Sequence, residues 1–307
     1  MILCCGEALI DMLPATAGGE PVLRPVPGGA AFNSAIALGR LGVPVSFFSG
    51  LSSDPFGSLL RERLRESRVD LSPAVISGRP TTLAFVDLRD GQATYFFYDE
   101  NTAGRMLSAD DLPPPNDAVR ALLSGGISLV AEPCGSVYET LMRREASHRV
   151  IMLDPNIRPA FIHDEERHRA RIHRLFEIAD IVKISDEDLD WIAPGEPQDR
   201  AIASILSAGA SLVLLTSGAR GTTAFWNGGS LSVPAIPVTV ADTIGAGDTF
   251  NAGFLAALHE RGELTKDRVR NLSEETLAAA LSFASKAAAV TVSRHGANPP
   301  WRHELTP

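Results

Sequence analysis

The stretch DTIGAGDTFNAGF, residues 242–254, places two glycines, an alanine and an acid directly before a run with helical spacing. Gly245, Ala246 and Gly247 offer backbone N–H groups that no bulky side chain shields. At the amino terminus of a helix, such N–H groups bind an anion, which the helix dipole also favours. The residue types and their spacing therefore predict an anion cradle at this point of the chain.

Asp248 follows the cradle directly and admits two interpretations. An acid in the first turn of a helix complements the helix dipole, which is a purely structural role. A carboxylate beside a bound anion can instead accept a proton from a hydroxyl group while the N–H groups hold a phosphoryl group. We favour this second interpretation, because the first leaves the glycines unexplained. Asp248 is then the candidate catalytic base, and residues 245–247 are candidate catalytic donors.

Two common phosphate-binding motifs are excluded. No Gly-x-x-x-x-Gly-Lys-Ser/Thr sequence occurs in the chain, which excludes a P-loop. A dinucleotide fingerprint needs a third glycine after Gly247, and Asp-Thr-Phe stands there instead. The phosphoryl chemistry therefore requires another scaffold.

Short β-branched runs alternate with amphipathic stretches of helical length along the chain. Such alternation predicts a doubly wound α/β fold, with a mainly parallel sheet covered by helices on both faces. Ligands bind beyond the carboxyl ends of the strands in such sheets, so the loops there are expected to carry the site. The predicted strands span residues 45–50, 127–132, 150–154, 180–185 and 211–218, and the predicted helices span 56–67, 136–147 and 200–209.

This alternation is interrupted between residues 79 and 98. TTLAFVDLRDGQATYFFY predicts two strands joined by an Asp90-Gly91 turn, which is a hairpin signal. With the Gly/Pro-rich stretch after Met12, the hairpin is expected to form a small β lid from segments 12–28 and 80–100, approximately. We expect a single domain over residues 1–307 that carries this lid.

The charge balance limits the classes of partner. The 307 residues include 28 Lys and Arg against 37 Asp and Glu, a net charge of −9, which repels nucleic-acid phosphates and anionic membranes. We therefore expect neither nucleic acid nor membrane as a partner. The amino terminus has no basic leader, and Cys4, Cys5 and Cys134 lack disulfide or zinc spacing. These features predict a cytoplasmic protein with reduced core thiols.

Three histidines recur at intervals of five residues: His163, His168 and His173. Five residues rotate a side chain by about 140° around a helix, so the three cannot share one metal-binding face. We expect all three to be solvated.

The stretch 242–254 resembles the carboxyl-terminal signature of the PfkB, or ribokinase-like, family of carbohydrate kinases. PGGAAFNSAIALGRLG, residues 27–42, resembles the family's amino-terminal signature. The resemblance covers nearly the whole chain. It implies a ribokinase-like fold, an ATP-dependent sugar kinase activity, Mg²⁺ that arrives with ATP, and a lid that closes over the sugar.

The same resemblance assigns residues to the sugar. Asp11, in GEALIDML, stands where family members bind two sugar hydroxyls, and Gly28, Gly29 and Asn33 stand where the signature lies against the sugar. Taken alone, the glycine pair is equally typical of a turn before a helix, Asn33 of a polar residue in its first turns, and Asp11 of a loop acid.

On the phosphate side, Arg158 in DPNIRP stands where the family's arginine approaches the transferring phosphate, work that suits a planar guanidinium. In KISDED, residues 183–188, Ser185 and Asp188 replace the family's Asn-x-x-Glu. The role of binding Mg²⁺ through water then falls to Asp188 or to its neighbour Glu187. The resemblance assigns the nucleotide to Lys183, Ser185, Thr216, Gly218, Gly221 and Asn298.

Two further expectations concern a cation and self-association. Many relatives bind K⁺ beside the anion cradle, and Asp242 with the segment 293–298 stands in those places. Lid strands rich in Phe and Tyr have exposed edges that another chain can cover, which predicts a homodimer through the lid.

The sugar itself is expected to be fructose. GEALIDML and TYFFYDENTAGRML resemble the sugar-side segments of bacterial family members that phosphorylate fructose. Members that act on 2-keto-3-deoxygluconate need a cationic partner for its carboxylate, and Arg105 is the candidate beside the lid. The remaining alternatives are a ribose kinase, a kinase of nucleosides or of a pyridoxine-like vitamin, and a nucleotide-binding regulatory protein that kept the fold without turnover.

Overall fold

The described strands fall into one large sheet and two small ones, in a computed structural model that describes residues 1–89 and 92–305. In chain order the strands are β1 (Ile2–Cys5), β2 (Leu9–Ala17), β3 (Glu20–Gly28), β4 (Val45–Phe48), β5 (Gly50–Ser52), β6 (Val75–Ser77), β7 (Leu83–Arg89), β8 (Gln92–Tyr98), β9 (Ala121–Gly125), β10 (Val150–Asp154), β11 (Ile181–Ser185), β12 (Leu212–Thr216), β13 (Thr222–Trp226) and β14 (Gly229–Val233). The helices are α1 (Ala30–Arg40), α2 (Pro55–Glu66), α3 (Cys134–Glu145), α4 (Glu165–Phe176), α5 (Asp186–Ile192), α6 (Gln198–Ala208), α7 (Ala246–Glu260), α8 (Lys266–Arg270) and α9 (Glu274–Val292).

The large sheet has the strand order β14-β13-β12-β11-β10-β9-β1-β4. The six strands from β12 to β4 are parallel, and β13 and β14 are antiparallel. Along β10, Met152 packs on the side of α1, α7 and α9, whereas Ile151 and Leu153 pack on the side of α3, α4 and α6. Burial of both faces explains the continuous apolar runs, and the doubly wound α/β fold is confirmed.

The lid is a four-stranded sheet with the order β3-β2-β7-β8. Its strands, 9–28 and 83–98, overlap the segments 12–28 and 80–100 that the sequence assigned to it. Asp11 therefore lies on lid strand β2. The predicted Asp90-Gly91 turn lies outside the described residues.

Two sequence-based expectations were wrong. The strand expected at 127–132 lies at Ala121–Gly125, and residues 126–129 form a 3₁₀ turn. The chain turns because Gly126 has a φ of +71°, and Gly125 runs so close to β10 that a Cβ there would lie 1.7 Å from the Asp154 carbonyl oxygen. His168 is buried rather than solvated, with its ring 5.8 Å from Trp191, because it shares the inner face of α4 with Ile172 and Leu175.

Two other observations concern the cysteines and the search for membrane-spanning helices. The thiols of Cys4, Cys5 and Cys134 are free and buried, as expected. Within residues 1–89 and 92–305, no helix combines the length and the apolar character that crossing a bilayer requires.

Candidate active site

A cavity of about 540 Å³ lies between the carboxyl ends of the central strands and the lid. The carboxyl ends of parallel strands meet at one edge of a sheet, so residues from distant segments converge there. The predicted site residues that line this cavity are Asp11, Gly29, Asn33, Arg158, Lys183, Gly245, Ala246, Gly247 and Asp248.

The anion cradle forms the start of α7. Gly245 precedes the helix with a φ of +78°, a conformation that glycine adopts without strain. A Cβ at Gly245 would lie 2.8 Å from the Cβ of Ala297, so a side chain is also sterically excluded. No side chain caps the helix, and Ala246, Gly247 and Asp248 all line the cavity. The first turn of α7 is therefore suited to an anion.

Asp248 is buried, with 8% of its surface exposed. Asn33 Nδ2 donates to Asp248 Oδ2 at 2.9 Å, and Ser34 Oγ donates to the Asp248 carbonyl oxygen at 3.3 Å. Burial raises the pKa of Asp248 to about 7; the Asn33 hydrogen bond and Lys183 oppose the rise, whereas the charges of Asp154 and Glu7 add to it. A carboxyl group that titrates near neutrality is well suited to general base catalysis.

The raised pKa has a consequence for stability. A buried acid whose folded pKa lies above its unfolded value binds more protons when folded, so stability falls as pH rises from about 4 to about 7. We expect Asp248→Asn to remove this loss and to raise the free energy of unfolding by on the order of 4 kcal/mol above pH 7. Thermal unfolding of both proteins at about pH 5 and pH 8 tests this. A stability difference that is equal at the two pH values would contradict it.

A buried ionic network stands behind the cradle. Lys183 Nζ lies 3.1 Å from Asp154 Oδ2, and Asn251 Nδ2 donates to the same oxygen at 2.7 Å. Burial lowers the pKa of Lys183, but Asp154, Asp188 and Asp248 more than compensate, so it stays above its usual value. Lys183 is therefore a cation that interacts with Asp248 and lines the same cavity. A Cβ on Gly247 would lie only 3.0 Å from Lys183 Nζ, so the glycine preserves the space between the helix and the cation.

Asp11 also lines the cavity, and burial raises its pKa to about 6. Gly28 does not line the cavity, but a Cβ there would lie 2.3 Å from Asp11 Oδ2. Glu7, which the sequence analysis missed, also lines the cavity: Ala30 N donates to its Oε1 at 2.8 Å and Ser128 N to its Oε2 at 3.3 Å. The sequence signal that could have identified Glu7 was its position before Asp11 in GEALIDML.

The roles that the structure favours for residues 185–188 differ from those expected from the sequence. Ser185 caps α5 by accepting from Asp188 N at 3.0 Å, and Asp188 Oδ1 accepts from Ile157 N at 2.9 Å. Glu187 is the acid of this segment that lines the cavity. The geometry therefore favours Glu187 over Asp188 for contact with a metal ion.

The remaining nucleotide candidates, Thr216, Gly218, Gly221 and Asn298, do not line this cavity. Thr216 ends β12, and its hydroxyl group bonds to the Ile184 carbonyl oxygen. Gly218 and Gly221 have positive φ and shape the following 3₁₀ turn. The Asn298 side-chain oxygen accepts from Arg40 at 2.7 Å. These four assignments remain predictions.

Asp242 joins two loops. Its Oδ1 accepts from Ile244 N at 3.0 Å and its Oδ2 from Gly296 N at 2.9 Å. The two segments expected at a K⁺ site are thus adjacent. Within the described residues, no group of three or more His, Cys, Asp or Glu is arranged to hold a metal ion, and the K⁺ assignment stays a prediction.

Comparison with known proteins identifies close relatives. A family model described as "pfkB family carbohydrate kinase" matches residues 1–304. A fructokinase of Rhizobium leguminosarum bv. trifolii is 54% identical over 278 residues, which cover 90% of this chain and 85% of that protein. The crystal structure of a fructokinase with bound ATP from Xylella fastidiosa superposes with a TM-score of 0.90 at 29% identity, covering 99% of this chain and 97% of that one. A fructokinase from Vibrio cholerae O395 in a fructose, ADP and calcium ion bound form gives 0.84 at 25% identity, covering 96% and 94%.

Proposed function

The chain belongs to the pfkB family of carbohydrate kinases, and from this premise we propose that it transfers the terminal phosphoryl group of ATP to a primary hydroxyl group of fructose. One observation carries the proposal: the buried carboxyl group of Asp248 shares a cavity with an uncapped helix amino terminus and with Asp11. The fructokinases among its relatives support the choice of sugar.

In the proposed reaction, Asp11 accepts hydrogen bonds from sugar hydroxyls at one end of the cavity and leaves a primary hydroxyl near Asp248. Asp248 accepts the proton of that hydroxyl as the sugar oxygen bonds to the terminal phosphorus. The bond from that phosphorus to the bridging oxygen breaks, and its electron pair leaves with ADP. The N–H groups of residues 245–248, with Arg158 and Lys183, stabilise the charge on the transferring group.

The site has a chemistry that suits ATP with Mg²⁺. Gly247 leaves space between the helix terminus and the Lys183 ammonium group, and Glu187 supplies a carboxylate on the cavity wall, the oxygen donor that Mg²⁺ prefers. When it is bound, Mg²⁺ would neutralise part of the negative charge of the phosphates. We place it beside Glu187, with Asp188 fixing the loop through Ile157.

The charges around the sugar favour a neutral substrate over a sugar acid. Glu7 and Asp11 line the sugar end. Arg105, the candidate partner for a carboxylate, lines a small adjoining cavity that shares Glu7 with the large one. Its NH1 already pairs with Asp99 at 3.0 Å, and its Nε donates to the Glu132 carbonyl oxygen at 3.0 Å. Arg105 is therefore neutralised by Asp99, which argues against 2-keto-3-deoxygluconate.

A panel of fructose, ribose, glucose, adenosine and 2-keto-3-deoxygluconate in one coupled assay of ADP release tests the proposal. We expect the highest kcat/KM for fructose. A tenfold preference for another substrate, about 1.4 kcal/mol of transition-state binding, would overturn the choice of sugar.

The same panel applied to Asp99→Asn examines the role of Arg105. The variant frees the Arg105 charge, so we expect kcat/KM for 2-keto-3-deoxygluconate relative to fructose to rise by ~10-fold, the effect of one new charge contact. An unchanged ratio would show that Arg105 does not reach the sugar.

We also propose activation by K⁺ next to Asp242, supported by the contact between Asp242 and the loop at Gly296. Replacing K⁺ with a bulky organic cation at equal ionic strength should lower kcat. Equal rates in the two salts would exclude the site.

A homodimer through the lid is the proposed assembly, in a cytoplasmic location that suits three reduced thiols. The edge strands β3 and β8 expose apolar side chains that another chain can cover, namely Val22, Leu23, Phe96 and Tyr98. Light scattering should give twice the chain mass of 32.7 kDa. A monomer at micromolar concentration would refute the dimer.

A further inference from the structure

Arg40, the last residue of α1, is a buried arginine with 8% of its surface exposed. Its NH1 donates to Asn298 Oδ1 at 2.7 Å and to the Pro299 carbonyl oxygen at 2.8 Å, and its Nε donates to Ser67 Oγ at 3.3 Å. These three acceptors are neutral. A buried guanidinium group with neutral acceptors gains little net stability, because its desolvation is costly. A role in fixing local conformation explains its presence better.

The two acceptors at Asn298 and Pro299 belong to the loop that follows α9. The same loop touches the segment that contains the anion cradle at two other points. Gly296 N donates to Asp242 Oδ2 at 2.9 Å, and Ala297 packs against Gly245 so closely that a Cβ on the glycine would lie 2.8 Å from its Cβ. The loop is therefore held between Arg40 on one side and the first turn of α7 on the other.

Helix α1 also holds the base. Its Asn33 donates to Asp248, and its Ser34 donates to the carbonyl oxygen of the same residue. The amino-terminal half of α1 thus contacts the catalytic carboxylate, and its carboxyl-terminal residue contacts the loop behind the cradle. One rigid helix can in this way fix the base and the cradle relative to each other.

We propose that Arg40 is a positioning residue for the anion cradle: it holds residues 296–299 against Gly245 and so sets the place of the N–H groups at the start of α7. The inference rests on the proposed function in taking the bound anion to be the phosphates of ATP. Arg40 itself does not line the cavity, so its effect on the reaction passes through the loop.

Arg40→Met tests the proposal, because methionine keeps much of the apolar stem and removes every donor. We expect ATP affinity, measured by calorimetry without sugar, to fall ~10-fold and kcat to fall by ~10-fold or more, as for a displaced catalytic group. KM for the sugar should stay within about twofold, since the contacts at Asp11 are untouched. Arg40→Lys, which keeps the charge and one donor, should recover part of both losses and also serves if the methionine variant does not fold.

Arg68→Met is the matched control. Arg68 lies 5.4 Å above the ring of Trp301, which Arg40 also approaches at 5.5 Å, but it is exposed and its change should leave ATP affinity at the wild-type value. ATP affinity in Arg40→Met equal to wild type, with only the melting temperature lowered, would overturn the inference. An equal loss in the Arg68 variant would also overturn it. If the wild type phosphorylates no sugar, the proposed function fails, while the comparison of ATP affinities still decides the role of Arg40.

Discussion

Replacing Asp248 with asparagine is expected to lower kcat for sugar phosphorylation by ~10²–10⁴-fold, the range for loss of a general base. Asparagine keeps an oxygen that can accept from Asn33 Nδ2, so the geometry of the site should persist. It cannot accept the hydroxyl proton. Initial rates in a coupled assay, with wild type and variant at equal concentration, measure the loss.

The affinity for ATP separates loss of the base from damage to the cradle. Backbone N–H groups form the cradle, so Asp248→Asn should bind ATP as tightly as wild type, or more tightly because a negative charge is removed. Asp11→Asn is the contrasting variant, because Asp11 lines the cavity in the proposed role of binding sugar hydroxyls, and its loss should raise KM for the sugar more than it lowers kcat. Near wild-type turnover in Asp248→Asn would remove this residue from the mechanism.

Replacing Lys183 with methionine should have the second largest effect, on both stability and activity. Lys183 and Asp154 are both almost fully buried and lie 3.1 Å apart, and removing one partner of such a pair costs ~3–5 kcal/mol because the other charge stays buried. Lys183 also lowers the pKa of Asp248. Its loss should therefore move the midpoint of the pH–rate profile to higher pH. Chemical denaturation and a pH series of kcat/KM measure the two effects.

Lys266→Met provides a control for the general cost of breaking a buried pair. Lys266 Nζ lies 2.6 Å from Asp180 Oδ2, and Asp180 directly precedes β11, at the edge of the sheet opposite the cavity. This variant should have a lower free energy of unfolding and should keep the wild-type dependence of kcat/KM on pH. The same pH shift in both variants would show that the Lys183 effect is not local.

The placement of residues 245–248 at the start of a helix could be predicted from the sequence because it is local. Gly245 to Asp248 are consecutive, and a helix that starts there places their N–H groups and the carboxylate together whatever the rest of the fold does. The order of strands and helices was also readable, since buried parallel strands leave continuous apolar runs. The strand at 127–132 was predicted wrongly because one apolar stretch of the chain contains both a strand and a 3₁₀ turn. Hydrophobicity alone does not distinguish these two structures.

The network behind the cradle and the contacts of Glu7 could not be predicted in the same way. Asn251 bonds to Asp154 across 97 positions, and Glu7 bonds to Ser128 across 121. Such contacts depend on tertiary packing, which spacing along the chain does not report. Asn251 lies three residues after Asp248 on the same side of α7, and this was the one local hint of its role. Arg40 gave no signal, because its two partners in the loop after α9, Asn298 and Pro299, follow it by more than 250 positions.

The dependence of kcat/KM for fructose on pH in the wild-type protein tests the central claim most directly, because it reports the ionisation of the free enzyme's base. Asp248 must be ionised to accept the hydroxyl proton, and its pKa is raised to about 7, chiefly by burial. We therefore expect kcat/KM to rise tenfold per pH unit below about pH 7 and to level off above it. A profile that is flat between about pH 5 and pH 9, or that falls as pH rises through 7, would contradict the assignment of Asp248 as the base.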